Sequence, residues 1–191
     1  MKRSPTIGVL ALQGDFDAHR KRLKELGAEV DLVRDPERLE TVDALVIPGG
    51  ESTTFLKFLE RRGFLDRLKD FVRTKPTFGI CAGAILLAKE VVGPQQASLG
   101  VLDVRVRRNA YGRQVESSIR IGSFGGTPLE MVFIRAPKVE EVGSCVEILA
   151  REGDDPVLLQ EGRVLAATFH PELSADTRVH EKFLKIVREQ P

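Results

Sequence analysis

The sequence predicts an α/β domain: a central mixed, mostly parallel sheet with helices on both faces, plus extra antiparallel strands. Two observations carry this. The first half alternates short, uninterrupted apolar runs with helical patterns, the signature of parallel strands buried on both faces. The second half packs six short strand-like runs before one closing amphipathic helix, which adds antiparallel strands beside the parallel ones. No linker or repeat divides the chain, so residues 1–191 are read as one domain.

The elements follow in order. Thr6 to Leu12 is an apolar run, and Gln13-Gly14-Asp15 turns the chain into a helix with Phe16, Leu23 and Leu26 on one side. Gly27 stands where a helix ends in the left-handed conformation. Glu29–Val33 and Ala44–Ile47 are the next strands, the latter closed by Pro48-Gly49-Gly50. Ser52 or Thr53 is placed to cap the following helix, and Phe64–Val72 continues as helix. Thr77–Ile80 is a short strand running into Cys81, with helix expected over Ala84–Lys89. The later strands are Val101–Arg107, Val115–Ile121, Met131–Ile134, Val146–Arg151, Val157–Gln160 and Val164–Phe169, with a tight turn at Glu161-Gly162. Asp176–Glu189 closes the chain as a helix facing inward through Val179, Phe183, Leu184 and Val187.

Composition narrows function by exclusion. The 29 Lys+Arg against 28 Asp+Glu give a net charge of +1, so nothing draws the chain to nucleic acid or an anionic membrane. The N-terminal apolar run, Ile7 to Leu12, is too short for a signal-peptide core with a cleavage site and far too short to span a bilayer, and a cytoplasmic setting is expected. Two cysteines, Cys81 and Cys145, exclude a disulfide framework, and with three histidines leave little for metal sites. No cofactor and no metal is expected. Each cysteine and histidine can therefore be weighed singly.

Phe78-Gly79-Ile80-Cys81-Ala82-Gly83-Ala84 has the form G-x-C-x-G between a short strand and a helix. That is a nucleophile elbow with cysteine in the serine position: small residues permit a sharp turn that projects the thiol. The helix that follows directs the positive end of its dipole at the sulfur. A cysteine nucleophile needs a base. His19 and His180 lie in charged helical stretches and read as solvated surface residues, whereas His170 ends a strand and begins His170-Pro171-Glu172. Pro171 is expected to keep this stretch extended, so that Glu172 points the same way as His170 and orients it. By roles this is a Cys-His-Glu triad. Pro48-Gly49-Gly50-Glu51-Ser52, directly after a core strand, has the backbone freedom to form an oxyanion hole or anion nest. The phosphate-loop and dinucleotide glycine patterns are absent. Cys145 has no motif around it.

At Gly8–Phe16 (G-V-L-A-L-Q-G-D-F), Ile47–Thr54 (I-P-G-G-E-S-T-T), Cys81–Gly83 (C-A-G), Arg108–Ser117 (R-N-A-Y-G-R-Q-V-E-S), Phe133–Pro137 (F-I-R-A-P) and Phe169–Leu173 (F-H-P-E-L), the chain resembles the glutaminase subunits of pyridoxal 5′-phosphate synthase. These are a branch of the triad (class I) glutamine amidotransferases, whose fold is flavodoxin-like. The resemblance runs from about Ile7 to the final helix. It departs at Ile80, where the family more often carries Thr, and is weak over Ile119–Leu129, read as a variable loop.

The resemblance implies a function. Cys81 attacks the side-chain amide of L-glutamine, His170 moves the proton and Glu172 orients His170, with a glutamyl thioester as intermediate. It also implies glutamine-binding residues Gly49, Gly50, Glu51, Arg108, Ile134 and Arg135, and an oxyanion hole from Gly50 and Ala82. The implied partner is a (β/α)8-barrel synthase subunit in a large ring-shaped complex decorated by glutaminase subunits. Ammonia passes to it through a tunnel, and docking flips the peptide near Gly49-Gly50. Two other classes stay open on the residues alone: another cysteine-dependent hydrolase on a similar sheet, and a non-catalytic subunit that keeps the fold.

Overall fold

The computed structural model describes residues 4–110 and 118–190. A nine-stranded sheet forms the centre. Its parallel side runs in the order β2 (Glu29–Val33), β1 (Thr6–Leu10), β3 (Ala44–Ile47), β4 (Thr77–Ile80) and β12 (Val164–Ala167). From β12 onward the neighbours are antiparallel: β11 (Asp155–Glu161), β10 (Glu147–Glu152), β7 (Ser118–Phe124) and β8 (Thr127–Phe133). A separate three-stranded sheet is made of β5 (Ala88–Val92), β6 (Leu102–Arg107) and β9 (Lys138–Val142).

The strands β3 and β4 are buried at every position, which is why they read as unbroken apolar runs. Alternate residues of the sheet serve two cores. On one face Leu45 and Ile47 meet Phe55 and Leu59 of α2 (Ser52–Arg61), Phe64 and Leu68 of α3 (Phe64–Thr74), and Leu86 of α4 (Ala82–Leu87). On the other, Val46, Phe78 and Ile80 meet Leu23 of α1 (Phe16–Glu25) and Val179, Phe183 and Leu184 of α5 (Arg178–Arg188). The predicted two-faced layering is therefore what forms. No described helix is long and apolar enough to cross a membrane.

Several local expectations are corrected. The helix after Cys81 ends at Leu87 rather than running through Lys89, because Ala88–Val92 pairs with β6 as a strand. The α2 cap is Glu51, not Ser52 or Thr53: its carboxylate accepts from Thr53 N at 3.0 Å and Thr54 N at 2.7 Å. The region Ile119–Leu129 is no loop but the β7–β8 hairpin, in unbroken antiparallel register from Ser118↔Phe133 to Phe124↔Thr127. Residues 111–117, which carry the start of the predicted Val115–Ile121 strand and most of the Arg108–Ser117 motif, lie outside the described residues.

Candidate active site

Parallel strands open their ligand sites at their C-terminal ends. Here Gly49 follows β3, Cys81 follows β4 and His170 lies three residues beyond β12, and the pairings of β4 with β3 and β12 set the three side by side. Cys81 has φ 49° and ψ −100°, a conformation strained for a residue with a side chain. The tight corner needs its glycines. A Cβ on Gly83 would collide with the Ile47 carbonyl, and one on Gly79 would come within 2.7 Å of the Gly83 backbone. The elbow is also pinned, since Cys81 N donates to Ala167 O at 2.8 Å and Ile85 N to Cys81 O at 3.0 Å. The Cys81 Sγ lies 3.9 Å from the Ile134 carbonyl oxygen.

His170 Nδ1 lies 2.7 Å from Glu172 Oε1, and the Cys81 side chain also acts on the ring. The pairing with Glu172 is as expected, but the backbone is not extended. Pro171–Leu173 is a 3-10 turn with Pro171 at its first position, where a proline's missing N–H costs nothing. Burial works against a charged His170; the Cys81 and Glu172 side chains overcome it and raise the imidazole pKa from 6.5 to about 10. Burial likewise disfavours a charged Glu172, yet the His19 and His170 imidazoles hold its carboxyl far below the usual carboxylate range.

A cavity of about 360 Å³ opens over the sulfur. Gly49, Gly50, Glu51, Cys81, Arg108, Ile134, Arg135, His170 and Glu172 all line it, together with Gly14 and Leu173. Ala82 is buried as the first residue of α4, where backbone N–H groups have no acceptor inside the helix. The Gly49 α-carbon is pressed against the imidazole: a Cβ there would lie 2.5 Å from His170 Cε1. Gly50 takes φ +136°, and the Gln13 amide fills the space a side chain would need. Gln13 Nε2 also donates to Glu51 O at 3.4 Å. Arg108 is 9% exposed; its Nη2 donates to Thr53 Oγ1 at 2.8 Å and lies 3.6 Å from Glu51 Oε1. Burial would raise the Glu51 pKa, but the amides and hydroxyls of Thr53 and Thr54 lower it to about 2. Among the described residues no trio of His, Cys, Asp and Glu is arranged to hold a metal ion. The arrangement brings together the Cys81 sulfur, an imidazole oriented by a carboxylate, the Gly49-Gly50 pair at the cavity wall and a buried guanidinium.

A profile of the SNO glutamine amidotransferase family matches residues 9–189. The chain belongs to that family. Among relatives it is similar to the pyridoxal 5′-phosphate synthase subunit PdxT of Koribacter versatilis, 63% identical over 184 residues and 95% of each chain. It is also similar to the PdxT of Thermosipho africanus, 52% identical over 95% of this chain and 98% of that one. A solved glutamine amidotransferase superposes with a TM-score of 0.88 at 50% identity, over 95% of this chain and 98% of the other. The structure of PurLQS from Thermotoga maritima shares the fold at a TM-score of 0.71 and 15% identity, over 98% of this chain and 97% of that one.

Within this amidotransferase fold two histidines stand elsewhere than expected. His19 and His180 are fully buried, not solvated. His19 Nδ1 lies 3.2 Å from His180 Nε2, and His19 Nε2 lies 3.3 Å from Glu172 Oε2. The signal was present in the spacing. His19 falls on the stripe Phe16, His19, Leu23, Leu26, and His180 on the stripe His180, Phe183, Leu184, Val187, both at the three-four rhythm of a buried face. Cys145 is exposed.

Proposed function

We propose that this chain is the glutaminase subunit of a pyridoxal 5′-phosphate synthase, hydrolysing L-glutamine to L-glutamate and ammonia. The observation that carries the reading is the Cys81–His170–Glu172 chain beneath a cavity of about 360 Å³ in a member of a glutamine amidotransferase family. The Cys81 sulfur adds to the amide carbon of glutamine, with His170 holding the thiol proton. The resulting oxyanion is met by backbone N–H groups of Gly50 and Ala82. His170 then gives its proton to the amide nitrogen, the C–N bond breaks and ammonia leaves. A γ-glutamyl thioester remains on Cys81. Water, deprotonated by His170, adds to the thioester carbon; the C–S bond breaks and glutamate departs. Glu172 takes no proton: it keeps His170 with Nδ1–H toward itself and Nε2 free for the sulfur.

Glutamine would sit with its polar ends on Gly49, Gly50, Glu51, Arg108, Ile134 and Arg135. A buried guanidinium suits an α-carboxylate, and the Ile134 carbonyl beside the sulfur supplies an acceptor. The Glu51 carboxylate is engaged at the α2 cap and beside Arg108, so its part is to set the loop and the guanidinium. The partner is a synthase subunit, which is supported by relatives named as synthase subunits along 95% of the chain. Its (β/α)8-barrel form, its assembly into a ring decorated by glutaminase subunits and a cytoplasmic setting are further parts of this proposal.

The test is a glutaminase assay with and without the cognate synthase subunit. Glutamate released in step with ammonia, and faster when the synthase is present, is the expected result. No glutamine turnover in the complex would overturn the reading.

A further inference from the structure

Hydrolysis through the triad uses one oxygen of Glu172 and leaves two buried histidines without a role. We infer that His19 is a positioning residue for glutamine hydrolysis: it faces the second oxygen of Glu172, while His180 fixes the His19 ring. One buried chain of side chains thus runs from Cys81 through His170, Glu172 and His19 to His180. The inference rests on the reading of Cys81, His170 and Glu172 as the triad.

A carboxylate has two oxygens that need donors, and a buried one that lacks them is costly. Glu172 is 6% exposed, and Oε1 is taken by His170 at 2.7 Å. Oε2 has no hydrogen bond of good geometry among the described residues; the group facing it is His19 Nε2 at 3.3 Å, off the straight hydrogen-bond line. That contact keeps the carboxylate from turning about its last bond. A Glu172 free to turn would release the His170 ring and with it the tautomer that catalysis needs.

The tautomers follow from the contacts. His19 must carry its hydrogen on Nε2 to face the carboxylate, so a neutral His19 accepts at Nδ1. His180 then donates its Nε2–H across the 3.2 Å gap and keeps Nδ1 bare. His180 Nδ1 is indeed buried with no partner among the described residues. Three elements face the pair: α1 brings His19 and Arg22, α5 brings His180, and the 171–173 turn brings Glu172. Burial is the leading cause that lowers the His180 pKa from 6.5 to about 3, with Glu172 pulling the other way and Arg22 adding to the lowering. His180 therefore stays neutral and acts as a prop, packed edge-on to Phe78 at 6.0 Å between centroids.

The experiment is done on the complex with the synthase. It compares the parent with His19→Leu, His19→Gln and Cys81→Ala. His19→Leu should lower kcat about ten- to a hundredfold, the range seen when an outer partner of a catalytic group is lost, with KM for glutamine unchanged. It should also shift the alkaline limb of the pH profile to lower pH. His19→Gln, whose amide nitrogen reaches the Nε2 position, should recover most of both. Nitrogen-15 NMR of the parent should show His19 protonated on Nε2, a readout that does not depend on any variant folding. A folded His19→Leu with parental kcat and pH profile would overturn the inference. So would equal losses in both His19 variants, or a neutral His19 protonated on Nδ1. An active Cys81→Ala would instead overturn the triad reading itself.

Discussion

His170 and Glu172 meet at 2.7 Å across the single residue that separates them, because Pro171 opens a 3-10 turn that folds the carboxylate back onto the imidazole. The pair is nearly buried, so the charge on Glu172 acts strongly on the ring. Glu172→Gln keeps the shape and removes that charge. Turnover of glutamine in the complex should fall by about 10²- to 10⁴-fold, as when a triad carboxylate is neutralised elsewhere. Steady-state glutamate release measures it, and parental turnover would contradict the orienting role.

Stability should fall on both sides of neutrality, for different groups. His180 has its pKa lowered from 6.5 to about 3, so below pH 6.5 the unfolded chain takes up a proton that the native chain refuses. Glu172 is likewise depressed, and its contribution, present above its unfolded value near 4.5, is lost as pH falls further. His170 is raised from 6.5 to about 10; its contribution is complete below 6.5 and is lost as pH rises toward 10. Each proton changes stability by at most about 1.4 kcal/mol per pH unit within its window. Urea unfolding across pH should show the acid loss beginning near 6.5, and His180→Asn should flatten the part between 6.5 and 4.5. An unchanged acid slope in that variant would refute the assignment.

Gly14 takes φ +76°, and a Cβ on it would strike the Gly49 carbonyl oxygen. Gly14→Ala should therefore displace the Gly49-Gly50 peptide while leaving the sheet intact. The expected result is a loss of about 1 kcal/mol or more of stability from the backbone strain, with a larger proportional loss of glutaminase activity. Denaturant unfolding and kcat/KM measured side by side separate the two effects.

Arg108 is a nearly buried guanidinium held by Thr53 Oγ1 beside the cavity. Arg108→Met keeps much of the stem and removes the cation. KM for glutamine should rise about ten- to a hundredfold, the equivalent of one hydrogen bond to a charged group, with kcat much less affected. An unchanged KM would remove Arg108 from the glutamine site.

Much of this was legible in the chain, for physical reasons. The parallel strands Ala44–Ile47 and Thr77–Ile80 stand where they were expected, because strands buried at every position admit few polar residues; the edge strand Glu29–Val33 was legible instead from its alternation, with Glu29 and Asp31 outward. The elbow at Cys81 was legible because a sharp strand-to-helix turn needs small neighbours. What was hidden depended on tertiary partners. Ala88–Val92 follows a helix-prone run and becomes a strand only because β6 lies beside it. The sequence of β9, Lys-Val-Glu-Glu-Val, buries one residue, Val139, and so shows no clear alternation. Glu51 displaced Ser52 and Thr53 as the helix cap because its longer side chain reaches two amides at once. The burial of His19 and His180 was masked by the charges around them, although their helical spacing put both on the buried face.

The central claim is that Cys81 carries the glutamyl group. Its most direct test is acid quenching of the complex with the synthase subunit during turnover of carbon-labelled glutamine, followed by mapping the label on the glutaminase chain. A hydroxylamine-sensitive acyl group on the peptide containing Cys81, absent from Cys81→Ala, is the predicted result. Continued turnover in Cys81→Ala, or label on a peptide that lacks Cys81, would contradict it.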